Sequence, residues 1–252
     1  MSRFATRKEE IAARFSQAAA GYASHADLQA AIADALLEAL APVGVVLDIG
    51  CGRGRESLLV SANPAVEKVV ALDMAPAMLE ALPASARLVP LPGDMEAIPL
   101  PDQSVDVAFS NFALQWCESR DAVAMEIARV LKPEGRLLFS VPGPLSLAAL
   151  RTSGLLHVNE FASAQDWAVA LMMAGFADCD FVQKDYVAHF PTARELLGAL
   201  KAIGANTADV PRENHLRGKQ WWQQVQAALE EQRQPQGLPL HYDVIFVSAR
   251  LG

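Results

Sequence analysis

The stretch of sequence that decides the fold is Val46-Leu47-Asp48-Ile49-Gly50-Cys51-Gly52-Arg53-Gly54. Its apolar first half is typical of a buried strand, and its glycines predict a tight turn from that strand into a helix. A Cβ atom in such a turn would occupy the space of a bound ligand. A dinucleotide-binding turn needs a third glycine where Arg55 stands, and a P-loop needs a following Lys-Ser/Thr pair. The stretch therefore predicts a ligand-binding turn of another kind, or a purely structural turn.

Short β-branched runs, each followed by a helical pattern, extend on both sides of this turn. Such alternation is typical of βαβ units and a parallel sheet. Strands are predicted at Val43–Ile49, Val66–Leu72, Ala86–Pro90, Ser104–Ser110, Arg136–Val141, Ala177–His189 and His241–Arg250. Helices are predicted at Arg55–Ser61, Ala75–Leu82, Asp121–Leu131, Ser163–Ala174, Thr192–Ala202 and Lys219–Glu231. The segment Lys132-Pro133-Glu134-Gly135 is a turn signal that ends the third of these helices.

Two more amphipathic helices are predicted ahead of the first strand. The first begins at the capping box Thr6-Arg7-Lys8-Glu9 and extends to about Tyr22. The second carries an apolar residue at every fourth position until Pro42 ends the pattern. These positions are Leu28, Ile32, Leu36 and Leu40.

Polar side chains stand at the ends of four successive strands, at Asp48, Asp73, Asp94 and Asn111. The carboxyl ends of parallel strands meet at one edge of a sheet, so we expect these side chains to surround the glycine turn. Asp73 could accept hydrogen bonds from both hydroxyls of a ribose, and Asp94 from an adenine amino group. Taken singly, Asp73 could instead cap the next helix, and Asp94 could form an Asx turn. Together the four residues predict a nucleoside site.

These acceptors suit a ligand with a ribose, an amino group and a positive charge but no phosphate, and S-adenosylmethionine has all of these features. The glycine stretch, with Asp73, Asp94 and residues 131–135, resembles the class I methyltransferases over about residues 43–142. The resemblance implies S-adenosylmethionine as the cofactor. The cofactor-binding residues that it implies are Asp48, Gly50, Cys51, Gly52, Asp73, Met74, Asp94, Met95 and Asn111.

The same resemblance implies an α/β, Rossmann-like fold. Its sheet has seven strands, mostly parallel, with an antiparallel last strand. We expect a single methyltransferase domain over residues 1–252, with an N-terminal helical extension in 1–41 and the cofactor-binding core in 42–142. The remaining core, in 143–252, includes a helical cap inserted near 191–232.

Motifs outside the cofactor core resemble those of the malonyl-acyl-carrier-protein O-methyltransferases of biotin synthesis. They are Arg14-Phe15 through Tyr22, His25-Ala26-Asp27-Leu28-Gln29, Ser110-Asn111-Phe112-Ala113-Leu114-Gln115-Trp116, Leu200-Lys201-Ala202-Ile203-Gly204-Ala205-Asn206 and Leu240-His241-Tyr242. The resemblance implies methyl transfer to the free carboxylate of a malonyl thioester. The partner it implies is malonyl-acyl carrier protein or malonyl-coenzyme A, and the methyl ester starts pimeloyl and biotin synthesis.

The acceptor site predicted from these motifs contains Tyr22, Gln115, Trp116 and Lys201. Tyr22 and Gln115 could donate hydrogen bonds to the carboxylate, Trp116 could exclude water, and Lys201 could supply positive charge. Alternatively, the two aromatic residues belong to the core and Lys201 lies on a solvated helix face. A carboxylate with a pKa of about 4 is already ionised at neutral pH, so we expect no catalytic base. Methyl transfer would then depend on positioning alone.

Composition and charge restrict the partners. The net charge of −8 would repel nucleic acids and anionic membranes. No apolar run is long enough to span a membrane, and the charged N-terminus does not resemble a signal peptide, so we expect a cytoplasmic protein. The three cysteines are too far apart in sequence to suggest a disulfide framework or a structural metal site. Residues 1–20 and 191–222 each carry a net charge of +2, which leaves −12 for the remainder.

Two alternatives share the expected cofactor fold. One is a methyltransferase for another small carboxylic acid or a quinone. The other is a methyltransferase-like assembly factor for respiratory complexes. A nucleic-acid methyltransferase is disfavoured by the acidity and by Asn111-Phe112-Ala113-Leu114, which stands in place of an Asn-Pro-Pro-aromatic motif.

Overall fold

The computed structural model describes residues 23–152, 160–202 and 219–252. The helices are α1 (Ala23–Ala39), α2 (Arg55–Ser61), α3 (Pro76–Glu80), α4 (Arg120–Val130), α5 (Ala148–Thr152), α6 (Ala164–Met173), α7 (Ala193–Ala202) and α8 (Lys219–Glu230). The strands are β1 (Gly44–Ile49), β2 (Val66–Asp73), β3 (Leu88–Pro92), β4 (Val105–Asn111), β5 (Leu131–Pro142), β6 (Phe176–Phe190) and β7 (Leu238–Leu251). Every predicted element within these ranges is present. The helix predicted between Thr6 and Tyr22 lies outside the described residues.

The seven strands form one sheet in the order β3-β2-β1-β4-β5-β7-β6. Strands β1 to β5 pair in parallel, and β7 is antiparallel to both β5 and β6. The predicted fold class is therefore confirmed, including the antiparallel last strand. The strand order reverses between β1 and β4, whose carboxyl ends flank a crevice. This topology fixes where a ligand site is expected.

The alternation of side chains along β1 builds a core on both faces of the sheet. Leu47 and Ile49 pack with α4 and α6, whereas Val46 packs with α1 and α2 on the opposite face. A third cluster joins the first turns of α1 to α7, α8 and the start of β7. The apolar stripe predicted for this helix is confirmed, because Leu28, Ile32 and Leu36 of α1 and Leu40 just after it are buried.

The start of β5 differs from its predicted position. Leu131 pairs with Val105 and Arg136 pairs with Val107, so residues 132–135 bulge out opposite Asp106. Glu134, in this bulge, has a φ of 66°, and Lys132 forms an ion pair with Asp106. The turn signal was therefore correct locally, but the strand begins before it and continues after it. A bulge of this kind depends on the neighbouring strand, which a local pattern does not report.

Elsewhere the differences are small. Strand β3 is displaced by two residues from its predicted bounds, and helix α3 is shorter than predicted. No helix within the described parts of the chain is long and apolar enough to cross a membrane.

Candidate functional site

A pocket of about 780 Å³, including its open mouth, lies at the carboxyl ends of β1, β2 and β4. Six of the nine predicted cofactor residues line it. They are Gly50, Gly52, Asp73, Met74, Asp94 and Met95. The predicted acceptor residue Trp116 also lines the pocket.

Glycine is required at Gly50 and leaves open space at Gly52. Gly50 has a φ of 74°, and a Cβ atom added there would lie 2.3 Å from Cβ of Ala113. Gly52 has a φ of 52°, and a Cβ atom there would have no neighbour within 4 Å. The turn therefore has one glycine that touches the opposite wall and one that borders empty space. That space fits a nucleoside that approaches the backbone closely.

Asp73 binds the glycine turn and the start of α3 simultaneously. Its Oδ2 accepts a hydrogen bond from the Gly52 N–H at 2.9 Å, and its Oδ1 accepts one from the Ala75 N–H at 2.8 Å. Burial raises the pKa of this carboxyl, while the backbone hydrogen bonds act in the opposite direction. Asp73 therefore does bond the backbone at the start of the next helix, as the alternative interpretation predicted, and the same side chain also lines the pocket. Each oxygen retains a lone pair that can accept a further bond.

Asp94 forms the predicted Asx turn within the pocket wall. Its Oδ1 accepts a hydrogen bond from the Glu96 N–H at 3.0 Å. Glu96 in turn accepts a hydrogen bond at 2.6 Å from the backbone N–H of Glu118, beyond the 3-10 turn Leu114–Trp116. This bond ties the wall that follows β3 to the wall that follows β4. Asp94 can therefore form the Asx turn and still offer its carboxylate to a ligand in the pocket.

Asp48 lies behind the glycine turn and does not line the pocket. It is 2% exposed, and its Oδ2 accepts a hydrogen bond from Ser57 Oγ of α2 at 2.5 Å. Burial raises the pKa of Asp48 to about 8; the Ser57 bond opposes this shift, and the charges of Glu56 and Asp73 add to it. Since its carboxyl group is enclosed and hydrogen-bonded, Asp48 supports the turn from β1 to α2.

Cys51 also lies outside the pocket lining. Its side chain is buried in the core, and its Sγ donates a weak hydrogen bond to the Gly52 carbonyl at 3.6 Å. Burial raises the pKa of this thiol, and Asp48 adds to the shift. The Cys51 side chain thus packs into the core, while the next residue, Gly52, lines the pocket.

The amides of Asn111 and Gln115 make internal hydrogen bonds. Asn111 Oδ1 accepts from Ser140 Oγ at 2.7 Å, and its Nδ2 donates to the Gln29 carbonyl of α1 at 3.5 Å. Gln115 Nε2 donates to the Phe112 carbonyl at 2.8 Å. Its Oε1 is buried and accepts no hydrogen bond from the described residues. Neither residue lines the pocket, so the structure does not bring these two predicted contacts into the site.

Of the remaining predicted acceptor residues, Tyr22 lies outside the described residues. Lys201 lies in α7, but its side chain is not described.

Eight lining residues were not predicted from sequence: Leu72, Ala75, Met78, Gly93, Glu96, Phe112, Ala113 and Cys117. Phe112 and Ala113 could have been predicted, since they directly follow the end of β4 at the edge of the sheet where the pocket was expected.

Comparisons with known proteins agree with this architecture. Residues 47–139 match a family described as Methyltransferase domain. A crystal structure of the YcgJ protein from Bacillus subtilis superposes with a TM-score of 0.63 at 17% identity, covering 90% of this chain and 98% of that one. Fold and pocket together define a class I methyltransferase.

Two curated relatives show to which family of methyltransferases the chain belongs. The malonyl-[acyl-carrier protein] O-methyltransferase of Laribacter hongkongensis is 37% identical over 96% of this chain and 89% of its own length. The biotin biosynthesis bifunctional protein BioHC of Cellvibrio japonicus is 36% identical over 96% of this chain and 50% of its own length. The chain belongs to the malonyl-[acyl-carrier protein] O-methyltransferase family.

Proposed function

We propose that this protein transfers a methyl group from S-adenosylmethionine to the free carboxylate of malonyl-acyl carrier protein. The product is the methyl ester that starts pimeloyl and biotin synthesis. The observation that carries the proposal is family membership across nearly the whole chain, at 37% identity over 96% of it. The pocket at the strand-order reversal supports it independently, because its acceptors and glycines suit a nucleoside without phosphate.

The residues that would hold the cofactor form three groups. Gly50 and Gly52 let the backbone pass close to the ligand, and Asp73 offers lone pairs to the ribose hydroxyls. Asp94 offers a carboxylate to the adenine amino group. Met74 and Met95 supply apolar surface against the adenine ring. These assignments rest on the chemistry of the donor and acceptor sets and on the placement of all six residues around one pocket.

The chain contributes positioning and the exclusion of water. When bound, S-adenosylmethionine would supply a methyl group on a positively charged sulfur; an ionised carboxylate oxygen has no proton to lose when it bonds to that methyl carbon and the sulfur leaves as S-adenosylhomocysteine. Trp116 and Phe112 are large apolar side chains that would shield the reacting atoms from solvent. The proposed contribution of the protein is orientation of the acceptor and the methyl group within the pocket.

Incubation of the purified protein with methyl-labelled S-adenosylmethionine and malonyl-acyl carrier protein tests the proposal. We expect one labelled methyl ester per S-adenosylhomocysteine released. Acetyl-acyl carrier protein, which lacks a free carboxylate, is the matched control and should stay unlabelled. Label on a quinone or another small acid, with none on the malonyl carrier, would replace the proposed acceptor.

The choice between acyl carrier protein and coenzyme A is answered by comparing kcat/KM for the two malonyl thioesters. A higher value for the carrier protein would support the proposed partner. The cytoplasmic setting, the exclusion of nucleic acid and the absence of a metal requirement stay predictions from the sequence.

A further inference from the structure

Arg151, in the short helix α5, is a half-buried cation without a described counter-charge. Its guanidinium donates from Nη1 to the Ser146 carbonyl at 2.7 Å and from Nη2 to the Pro144 carbonyl. Among the described residues it forms no ion pair. Backbone carbonyls supply dipoles and not a negative charge, so no charged group in the described part of the chain pairs with Arg151.

The loop that Arg151 holds begins where β5 ends, next to the end of β4. The Phe112 N–H, one residue past β4, donates to the Ser140 carbonyl of β5 at 3.0 Å. Phe112 lines the cofactor pocket and also packs against the hydrophobic cluster that contains Leu147. The loop therefore leaves the sheet at the same edge as the pocket, on the side of β4 and Phe112 and away from Asp73.

Backbone strain is concentrated at the same place. Phe112 has a φ of 52° and Leu147 a φ of 59°, a region that bulky side chains rarely adopt. Leu147 belongs to a hydrophobic cluster against which Phe112 packs, whereas the other two described residues of this kind outside glycine, Gln103 and Glu134, are exposed and polar. Strain held in place by packing is found preferentially at ligand sites.

The start of the loop is held separately, by β7. Asp243 is 5% exposed and accepts hydrogen bonds from the Leu145 N–H at 3.3 Å and from Gln183 Nε2 at 3.4 Å. A Cβ atom on Gly143 would lie 2.6 Å from Asp243 Oδ2, so the loop passes tightly over this carboxylate. Asp243 forms no ion pair with Arg151. Both ends of the loop are thus fixed before any ligand binds.

We propose that Arg151 binds the free carboxylate of the acceptor and so selects a malonyl over an uncharged acyl group; this inference rests on the proposed function. Arginine carries five N–H donors, and the two carbonyls occupy two of them, which leaves three that can donate to a carboxylate. A guanidinium held in advance by Pro144 and Ser146 loses little side-chain entropy when the anion binds. The carboxylate would then lie on the Phe112 side of the pocket.

Arg151→Gln and Arg151→Lys, assayed with malonyl-acyl carrier protein, test this inference. We expect the KM of Arg151→Gln to rise about tenfold to a hundredfold, the range for losing charge-assisted hydrogen bonds, with a smaller rise for Arg151→Lys. Affinity for S-adenosylhomocysteine should stay unchanged in both variants. Arg120→Gln, which removes an exposed arginine at the start of α4, is the matched control and should leave KM unchanged.

Isovaleryl-acyl carrier protein is the uncharged isostere of the malonyl form. It distinguishes recognition of the acceptor carboxylate by Arg151 from a purely structural role of Arg151 in the loop. If Arg151 recognises charge, wild type binds the malonyl carrier more tightly than the isovaleryl one, and Arg151→Gln loses this preference. Equal weakening for both carriers, or an unchanged malonyl KM, overturns the inference while the proposed function stands. Wild-type protein that shows no malonyl preference and no malonyl methylation overturns both.

Discussion

The side-chain Oδ2 of Asp73 lies 2.9 Å from the backbone nitrogen of Gly52 and accepts its hydrogen bond, which joins the end of β2 to the glycine turn after β1. The group expected to bind ribose therefore also holds the turn against which the nucleoside would lie. Because Oδ1 bonds the Ala75 N–H, the carboxylate has one fixed orientation. Cofactor affinity and the geometry of the turn are thus coupled through one side chain.

Asp73→Ala should weaken S-adenosylhomocysteine binding by about 2–4 kcal/mol, because charge-assisted hydrogen bonds are lost and the turn loses its anchor. Calorimetric titration measures this. Asp178→Ala, on the opposite edge of the sheet, is the control. Unchanged affinity in a folded Asp73→Ala protein would remove Asp73 from the site.

Gly50→Ala should destabilise the fold by about 2–4 kcal/mol, since the added methyl would meet Ala113 and the backbone keeps a positive φ. Gly52→Ala should cost only about 1–2 kcal/mol, the strain of a left-handed residue alone. Urea denaturation without ligand checks both values. Equal losses for the two variants would contradict the open space at Gly52.

Gly52→Ala should nevertheless weaken S-adenosylhomocysteine binding, because the new methyl would enter space that borders the pocket. Titration of this variant with S-adenosylhomocysteine, under conditions where urea denaturation shows that it is folded, measures the loss of affinity alone. Wild-type affinity in Gly52→Ala would mean that the nucleoside does not approach this residue.

Asp48 should make the folded state less stable as pH rises from about 4 to 8. Its pKa is raised by burial to about 8 in the folded protein, so there the folded state keeps a proton that the unfolded state has lost. The slope is at most about 1.4 kcal/mol per pH unit. Asp48→Asn cannot ionise and should show a flatter profile of unfolding free energy between pH 5 and 8. A parallel profile in the variant would show that Asp48 is ionised in the folded state.

Asp106→Asn supplies a control of the opposite sign. Burial acts to raise the pKa of Asp106, but hydrogen bonds from Lys132 and Val45 outweigh it and lower the pKa. Stability from this group is therefore present above the unfolded pKa, near 4, and is lost as pH falls. The variant should lose stability at pH 7 and little at pH 3.

The rate of methyl transfer at saturating cofactor should show no ascending limb between about pH 6 and 8, since the acceptor carboxylate is ionised well below this range. Single-turnover measurements with a chelator present check this prediction. A steep rise with a midpoint near the pKa of histidine would indicate a catalytic base and contradict the positioning mechanism.

Reversing the charges of Arg7, Lys8, Arg212, Arg217 and Lys219 together should raise KM for malonyl-acyl carrier protein several-fold. An exposed ion pair contributes only about 0.2–1 kcal/mol, so several charges are reversed together; an acidic carrier would meet the two positive segments of an otherwise negative chain. Kinetics with malonyl-coenzyme A should change little, and added salt should mimic the variant. Unaltered carrier kinetics at low salt would identify the two segments as ordinary solvated surfaces.

By itself, the sequence determined the fold and half of the site. Strand and helix periods, together with the stretch around Gly50, are local features, and the parallel sheet follows from them because such connections admit few topologies. Asp73 and Asp94 were predictable for the same reason, since side chains at strand ends converge at one edge of the sheet.

Only the tertiary structure decided which of these side chains reach the pocket. Asp48 and Asn111 also end strands, yet contacts with Ser57 and Ser140 turn them into internal supports. Such partners lie far apart or on other elements, and sequence spacing does not specify them. The same holds for Arg151, whose hydrogen bonds to the Ser146 and Pro144 carbonyls depend on the folded loop.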